Sequence, residues 1–370
     1  MKAAISTILA FARSSAGGIA VAGLAACGAA LTPTGAHAAG YNFVTHNDPI
    51  DQPFMGATFT NLLGINNSDL IAGFYGSGQA GDPNKGFFLT LPNTFMPENF
   101  PGSAQTQMTG LNDMGTSVGY LYLTNNGVPV DNQFGFYMKG GTFVEVNNPN
   151  TPTSTPPGIL IENQLLGVTN NDLAVGFYNT VGVDASGDHA VSHGYTYDIA
   201  TKTFSANIDD PNASKTNGGT IAAAINNSDE IAGFFTDSSG VQHGFIDNGG
   251  VFSTVDPAGA TQTQLLGLND KGIADGFAVI GGVQHGILFN SLTDTFTMLD
   301  PTGSTATTLN GINNAGDVVG FFVDGANTDG TLGTPVPELS TWVMILAGFA
   351  GLGWLGLGRY RWPGVARAAL

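Results

Sequence analysis

The sequence predicts an all-β fold: a six-bladed β-propeller of about four short strands per blade, followed by one C-terminal transmembrane helix. Three observations predict it, namely a composition that disfavours helices, a module that occurs six times, and one long uncharged stretch near the C-terminus. The 370 residues include 54 glycines and 24 phenylalanines, and only 10% of them are charged. A chain so rich in glycine and so poor in Glu, Lys and Arg favours short strands and tight turns.

The module is marked by two small residues nine positions apart, the second of which is a glycine followed by an aromatic residue. In chain order, modules 1 to 6 carry Gly64/Gly73, Gly110/Gly119, Gly167/Gly176, Ala224/Gly233, Gly267/Gly276 and Gly311/Gly320. The aromatic residues are Phe74, Tyr120, Phe177, Phe234, Phe277 and Phe321. Self-similarity at a fixed offset indicates one supersecondary unit repeated along the chain.

Each pair of small residues encloses a turn rich in Asn and Asp. Its last position is always Gly or Asp: Asp69, Gly115, Asp172, Asp229, Gly272 and Gly316. Glycine has no Cβ and aspartate tolerates the left-handed region, so this position predicts a tight turn closed by a left-handed residue. Each module therefore begins with a β-hairpin, such as Leu62 to Ile65 followed by Leu70 to Tyr75.

Two further strands follow in most modules. Five modules carry a second Gly-apolar pair, at Gly86-Phe87, Gly135-Phe136, Gly194-Tyr195, Gly244-Phe245 and Gly286-Ile287, and a fourth strand is predicted around Phe95, Phe143, Phe204, Phe252 and Phe296. Proline cannot continue a paired strand, so four modules are predicted to end at Asn148-Pro149, Asp210-Pro211, Asp256-Pro257 and Asp300-Pro301. Four short strands in modules spaced 46, 57, 57, 43 and 44 residues apart are typical of propeller blades.

The sixth module predicts how the ring closes. Its pattern stops after Phe321-Phe322, without third and fourth strands, whereas the segment from Tyr41 to Pro49 has a fourth-strand pattern with nothing before it. Pairing this first strand with the last module would close the ring and remove open sheet edges.

The module resembles the extracellular repeat of the HAF family, in which a Gly-Ile-Asn-Asp-x-Gly hairpin precedes a His-Ala-Phe triplet. The corresponding triplets here are His193-Gly194-Tyr195 and His243-Gly244-Phe245, with His285-Gly286-Ile287 as a looser match. Since the three histidines occupy one repeat position, a propeller would place them in different blades. A recurring polar partner within each blade is therefore favoured over a metal site, and the resemblance assigns no activity.

The N-terminus predicts export. Lys2 and Arg13 form a positive start, the stretch from Ile19 to Leu31 is apolar, and Ala36-His37-Ala38 is a small-x-small cleavage pattern. Residues 1–38 are therefore predicted to be a signal peptide, with Ala36 and Ala38 as processing residues. An alternative stays open, because Leu24-Ala25-Ala26-Cys27 also fits the lipobox of a lipoprotein.

The C-terminal segment, residues 334–370, predicts membrane sorting. Residues 339–358 carry no charge, and twenty helical residues reach about 30 Å, the thickness of a bilayer core. Arg359, Arg361 and Arg367 follow, which places this end in the cytoplasm. With Pro337-Glu338 and the glycine-rich helix, the tail resembles the PEP-CTERM sorting signal, although Leu339 replaces the second proline. The resemblance implies an exosortase-type processing enzyme, contact with the inner membrane during sorting, and final location at the cell surface or in the matrix; Pro337, Glu338, Arg359 and Arg361 are the sorting residues.

Charge narrows the partners of the repeat domain, residues 39–333. From position 39 to 336 there are 5 lysines, no arginine and 27 acidic residues, a formal net charge of −22. Such a domain repels nucleic acids and anionic lipids. Cations, neutral glycans such as an exopolysaccharide, and other surface proteins are the partner classes that remain. The only cysteine, Cys27, lies in the signal segment, so no disulfide is expected.

No residue set predicts a reaction or a cofactor. Gly76 to Gly81 fits G-x-G-x-x-G, but no helix follows, so a loop is predicted. The segments Asp184 to Asp188 and Asp324 to Gly330 offer oxygen ligands of the kind that calcium takes, but neither reproduces the EF-hand spacing, and solvated turns are the favoured interpretation. The sequence thus favours a non-enzymatic binding or scaffolding propeller. The alternative is a secreted hydrolase of extracellular polysaccharide with inward-facing acids in the central channel.

Overall fold

The computed structural model describes residues 40 to 336 except residues 80, 126 and 127, and all regular elements in this part are β-strands. They are β1 (Tyr41–Thr45), β2 (Thr60–Ile65), β3 (Leu70–Tyr75), β4 (Lys85–Thr90), β5 (Thr94–Pro97), β6 (Gln105–Leu111), β7 (Thr116–Asn125), β8 (Val128–Lys139), β9 (Thr142–Val146), β10 (Asn163–Val168), β11 (Leu173–Asp184), β12 (Gly187–Asp198), β13 (Thr203–Phe204), β14 (Gly218–Ile225), β15 (Ile231–Thr236), β16 (Gln242–Asn248), β17 (Val251–Val255), β18 (Ala260–Leu268), β19 (Ile273–Ile280), β20 (Val283–Asn290), β21 (Thr295–Met298), β22 (Ala306–Ile312), β23 (Val318–Asp324) and β24 (Asn327–Pro335).

Within the described ranges, the chain forms no helix of the length and apolarity needed to cross a membrane. The transmembrane helix predicted at residues 339–358 lies outside the described residues.

The strands form a β-propeller arrangement, as predicted. Modules 1, 2 and 5 are antiparallel four-stranded sheets made of β2–β5, β6–β9 and β18–β21, and module 6 is a four-stranded sheet of β22, β23, β24 and β1. The strands of modules 3 and 4 belong to one eight-stranded sheet, because β12 pairs in parallel with β14 at Val191–Gly218 and Ser192–Gly219. Six separate blades are therefore not found; the sheets comprise four single blades and one double unit.

The ring closes through its first strand, which confirms the predicted closure. β1 pairs antiparallel with β24 from Tyr41–Pro335 to Thr45–Thr331. The prediction that module 6 lacks a third strand was wrong, since β24 occupies that place. Its sequence of Asn, Thr, Asp and Gly has little apolar alternation, and a tight turn with Gly325 at φ 62° joins it directly to β23. The segment Asp324 to Gly330 is accordingly a hairpin and not a free acidic loop.

The predicted hairpin turns are confirmed at all six positions. The residues at the end of the turns have positive φ: Asp69 58°, Gly115 84°, Asp172 62°, Asp229 60°, Gly272 71° and Gly316 94°. In five of the six turns an asparagine three positions earlier organises the turn locally, and Thr169 takes its place in module 3. Asn66 Oδ1, for example, accepts hydrogen bonds of 3.0 Å from the amides of Ser68 and Leu70. This Asx geometry explains why the turn sequence repeats so closely.

The two small residues of each module allow two close contacts between backbone segments. A Cβ on the second glycine of module 3, Gly176, would lie 1.9 Å from the carbonyl oxygen of Gln164 on the adjoining strand. A Cβ on the first glycine of module 2, Gly110, would lie 3.1 Å from Cα of Gly167 in the next module. The second glycine thus allows strands within a module to pair closely, and the first lets the innermost strands pack around the axis.

Candidate functional site

The innermost strand of each module borders the propeller axis, which has two distinct ends. The hairpin turns lie at one, called here the turn end. The connections from second to third strand, and from the fourth strand to the next module, lie at the opposite end of the strands, called here the loop end. The two ends differ in chemistry.

The turn end carries a closed ring of hydrogen bonds. The backbone amide of one turn residue in each module donates to the side-chain oxygen of the equivalent residue in the next, over 2.7–3.0 Å. The members are Asn67, Asp113, Asn170, Asn227, Asp270 and Asn314. The last bond, from the Asn314 amide to Asn67 Oδ1 at 2.8 Å, joins module 6 to module 1. The ring is therefore a second closure, independent of β1.

The two carboxylates in the ring accept hydrogen bonds from other members of the ring. Asp113 and Asp270 occupy opposite places in it, and each accepts amide protons from both neighbouring asparagine side chains. Partial burial raises the pKa of Asp113, but the bonds from Asn170 and Asn67 outweigh it and hold this pKa below the ordinary value. Asp270 behaves in the same way. Both side chains are acceptors fixed in the ionised state, which makes them poor proton donors.

The axis itself encloses little space. One cavity of about 80 Å³ is lined by the six turns, and another of about 80 Å³ by the innermost strands around Gly64 and its equivalents. Pockets that enclose organic ligands usually measure about 300 Å³ or more. The axis has room for water or a small ion and not for a sugar chain.

The loop end displays the three repeated histidines, each paired with an aspartate of its own module. The distances from Nδ1 to the carboxylate are 3.0 Å for His193–Asp209, 2.7 Å for His243–Asp256 and 2.7 Å for His285–Asp300. The imidazoles keep 21%, 26% and 26% of their surface exposed, so each pair is anchored but reachable. The prediction of a recurring polar partner within each module is confirmed.

The partner in module 3 is not the one that the Asx-Pro pattern marks. His193 contacts Asp209, whereas Asp210, which precedes proline, is buried and accepts a hydrogen bond from the amide of Asn212. In modules 4 and 5 the aspartate next to proline is itself the histidine partner. In module 3 the histidine partner is therefore the residue before the Asp-Pro pair, whereas in modules 4 and 5 it is the aspartate of that pair. The position of the proline alone does not show this difference.

Aromatic rings support two of these pairs. The ring of Tyr178 lies 5.3 Å from that of His193, and the ring of Phe235 is stacked 5.2 Å from that of His243. Burial lowers the pKa of His243, but the carboxylates of Asp256 and Asp237 outweigh it and raise the pKa above its ordinary value. Tyr178 and Phe235 are themselves buried and hold the two imidazoles in place. Each of the three units presents a group that donates and one that accepts hydrogen bonds.

The acidic loop between β11 and β12 is a turn held by its own hydrogen bonds. Asp184 Oδ1 accepts hydrogen bonds from the amide and hydroxyl of Ser186 and lies 3.1 Å from His189 Nε2. The same Nε2 also contacts the Ser186 hydroxyl, so the trio lacks the relay through both ring nitrogens that a catalytic triad uses. Across the part of the chain that the structure describes, no three His, Cys, Asp or Glu side chains are grouped closely enough to hold a metal ion.

The remaining predicted positions fall elsewhere. Gly76 to Gly81 connects β3 to β4 as a loop, as expected, with residue 80 not described. The sorting residues Ala36, Ala38, Pro337, Glu338, Arg359 and Arg361 lie outside the described residues.

One buried acid, Asp275, was not predicted from the sequence. Asp275 on β19 is fully buried, and neither carboxylate oxygen has a hydrogen-bond partner. The equivalent residues, directly before the second glycine, are Ala72, Val118, Val175, Ala232 and Val319. This departure from an otherwise apolar repeat position was the signal that could have found it.

Comparisons with known proteins found likenesses of fold only. No family model and no curated protein matches the chain. Among solved structures, a mutant Aleuria aurantia lectin in complex with Fucalpha1-6GlcNAc has a TM-score of 0.47 at 10% identity, covering 77% of this chain and 97% of the lectin. An ulvan lyase of polysaccharide lyase family PL25 has a TM-score of 0.44 at 13% identity, covering 75% and 78%. The Trypanosoma rangeli sialidase in complex with the inhibitor DANA has a TM-score of 0.42 at 9% identity, covering 84% and 62%. At these values the likenesses carry no information about a ligand.

Proposed function

We propose that the chain is an exported, surface-held or matrix-located propeller that binds extracellular polysaccharide without catalysing a reaction on it. The observation that supports this most is the set of three His–Asp units at the loop end. A sugar hydroxyl both donates and accepts hydrogen bonds, and each unit offers it an acceptor and a donor side by side. The buried rings of Tyr178 and Phe235 pack against two of the imidazoles and hold them in place for such contacts.

The repetition of the His–Asp unit suits a polymeric ligand. Three consecutive modules carry equivalent units, so one polysaccharide chain could engage them together, and the binding of one unit raises the effective concentration at the next. The net charge of −22 between positions 39 and 336 favours a neutral polymer over a polyanionic one. Another surface protein is the competing partner.

Substituting the units tests the proposal. A hydrogen-bonding pair with a charged member contributes about 1.5 kcal/mol, so His243→Gln is expected to weaken retention on a neutral exopolysaccharide about tenfold. The triple change of His193, His243 and His285 to Gln is expected to abolish it. Affinity electrophoresis on neutral and acidic polysaccharides measures this, with His189→Gln as the control because that histidine lies outside the repeat position. Wild-type protein that migrates freely through every polysaccharide would refute the proposal, and so would equal losses in the triple variant and the control.

The hydrolase alternative gains no support from the axis. It required inward-facing acids from several modules. Asp113 and Asp270 do face the axis, but their pKa values are held low by hydrogen bonds and the adjoining cavity of about 80 Å³ is small. Glycoside hydrolysis needs one carboxyl group that stays protonated to donate to the leaving oxygen.

We also propose that modules 3 and 4 act as two blades of a six-bladed ring. What supports this is that both module sets contain four strands each, and that only two parallel residue pairs join them. The hydrogen-bonded ring at the turn end has six members, one from each module.

For sorting, we propose that an exosortase-type enzyme at the inner membrane cuts the chain near Pro337-Glu338 and releases the propeller to the surface or matrix. Gly40 and Val336 are hydrogen-bonded, so the two ends of the described propeller lie side by side. Mass spectrometry of the mature protein checks this: a C-terminus near Pro337 is expected, with Leu339→Pro increasing the cut fraction. A mature chain that still ends at Leu370 would contradict the cut.

A further inference from the structure

Module 1 has a feature that no other module shares at the loop end. The connection from β1 to β2 and the loop from β3 to β4 are both long, and they pack on each other: a Cβ on Gly81 would lie 2.8 Å from the ring of Phe54. The amide of Gly76 also donates to the carbonyl of Phe59 over 2.8 Å. Together these loops cover the end of the hairpin formed by β2 and β3.

Two aspartates of the connection from β1 to β2 are buried, and in each one carboxylate oxygen is hydrogen-bonded and the other is not. Asp48 and Asp51 are only 2% and 7% exposed. Asp48 Oδ1 accepts the amide of Ile50 at 2.8 Å, and Asp51 Oδ2 accepts the Phe59 amide at 2.8 Å and the Thr60 hydroxyl at 2.9 Å. Asp48 Oδ2 and Asp51 Oδ1 have no partner in the described part of the chain. Neither carboxylate forms an ion pair there.

A hydroxyl and a third acid lie in the same neighbourhood. Ser77 is 8% exposed, its Oγ has no partner, and its amide donates to Asp82 Oδ2 at 2.7 Å. Phe59 joins the segment of Ser77 to Asp51, since its amide donates to Asp51 Oδ2 and its carbonyl accepts the amide of Gly76, the residue before Ser77. The two aspartates are linked through Thr60, whose hydroxyl accepts the Asp48 amide at 3.2 Å and donates to Asp51 Oδ2 at 2.9 Å.

We propose that Asp48, Asp51 and Ser77 form a binding site for a hard divalent cation, with calcium as the ion that fits best. The unpaired atoms are all oxygens, and no cysteine or histidine nitrogen contacts either aspartate in the described residues, which argues against zinc. Calcium takes six to eight oxygens from carboxylates, hydroxyls, backbone carbonyls and water, and it tolerates irregular geometry. The two carboxylates and the hydroxyl would be the side-chain ligands of such a set, and backbone carbonyls and water would complete it. The ion would join the first connection of the ring to the first hairpin.

Module 3 supplies a matched control. Asp210 is 3% exposed and repeats the local geometry of Asp48: its amide donates to Thr220, its Oδ1 accepts the Asn212 amide at 2.8 Å, and its Oδ2 has no partner. The residue three positions after Asp210 is Ala213, where module 1 has Asp51. Removing the charge of Asp210 should therefore leave cation binding intact.

Calorimetric titration of calcium into the purified full-length protein, after treatment with a chelator, tests the site. One calcium ion per chain and a calcium-dependent rise in melting temperature are expected for the wild type. Asp48→Asn and Asp51→Asn should each lose both effects, whereas Asp210→Asn should keep them. Absence of heat and of a melting shift in the wild type would overturn the proposal, as would an Asp210→Asn variant that loses binding as Asp51→Asn does.

A second variant covers the case in which the aspartate changes impair folding. Ser77→Ala removes only the hydroxyl, so it should melt like the wild type without calcium and bind calcium about tenfold more weakly. Unchanged calcium affinity in Ser77→Ala would overturn the assignment of this hydroxyl to the site.

Discussion

Replacing Asp275 with valine is expected to stabilise the folded protein by about 1–3 kcal/mol at neutral pH. The carboxyl group is fully buried with neither oxygen hydrogen-bonded. The amides of Gly267 and Gly311 face it and offset part of the cost of burial, but neither forms a hydrogen bond of normal geometry with it. Valine occupies the same position in modules 2, 3 and 6, so its shape fits this packing. Urea unfolding at pH 7 measures the difference.

The gain should depend on pH in a defined direction. Burial raises the pKa of Asp275 well above the ordinary 3.8. The folded protein therefore holds this proton more tightly than the unfolded chain does, and the free energy of unfolding falls as the pH rises from about 4 towards the raised pKa. Asp275→Val removes this slope, so the advantage of the variant should grow from pH 4 to pH 7.

Asp247→Val is the matched control for this prediction. Asp247 also lies on a strand and is 5% exposed, but its Oδ1 accepts the amide of Gly250 at 2.7 Å. Removing a satisfied carboxylate should destabilise the protein by about 1 kcal/mol or more. Equal effects of the two substitutions would show that the missing partners of Asp275 do not matter.

Gly176→Ala is expected to destabilise the protein by about 3 kcal/mol or more. The added Cβ would lie 1.9 Å from the carbonyl oxygen of Gln164 and 3.0 Å from Cα of Leu165, and both contacts are backbone atoms that cannot rotate away. Strands β10 and β11 would have to separate at their closest point. Thermal and urea unfolding of the purified variant check the size of the effect.

The first glycine of the same module provides the contrast. A Cβ on Gly167 would come no closer than 3.3 Å to its neighbours, and module 4 already has Ala224 in that position. Gly167→Ala should therefore change the free energy of unfolding by about 1 kcal/mol or less. A Gly176→Ala variant as stable as Gly167→Ala would mean that the strands adjust more readily than their backbone contacts indicate.

The repeat made most of the fold predictable, because each hairpin depends on local chemistry. Asp69 and its equivalents adopt the left-handed conformation that their residue types favour, and β3 has the predicted bounds. β24 was missed because its pairing with β23 and β1 comes from position in the ring and not from apolar alternation. The joining of modules 3 and 4 likewise depends on a two-residue contact between distant strands.

The candidate site was predictable only where it repeats. His193, His243 and His285 were found by their common position, but the partner Asp209 required the structure, because proline marks the neighbouring residue instead. Asp48 precedes Pro49 as Asp210 precedes Pro211, but Asp51 follows no repeat. Only the three-dimensional packing of two long loops shows that their free oxygens are buried without a counter-charge.

The pairing of β1 with β24 also imposes an order on folding. β1 is the first strand of the ring to be synthesised, and its partner is the last, 294 residues later by the pairing of Tyr41 with Pro335. Domains begin to fold as the chain is made, N-terminal part first. β1 must therefore wait without a strand partner while all other modules assemble. In a chain that ends before β24, β1 has no strand to pair with. The pairing of the N-terminal strand therefore depends on completion of the C-terminal strand.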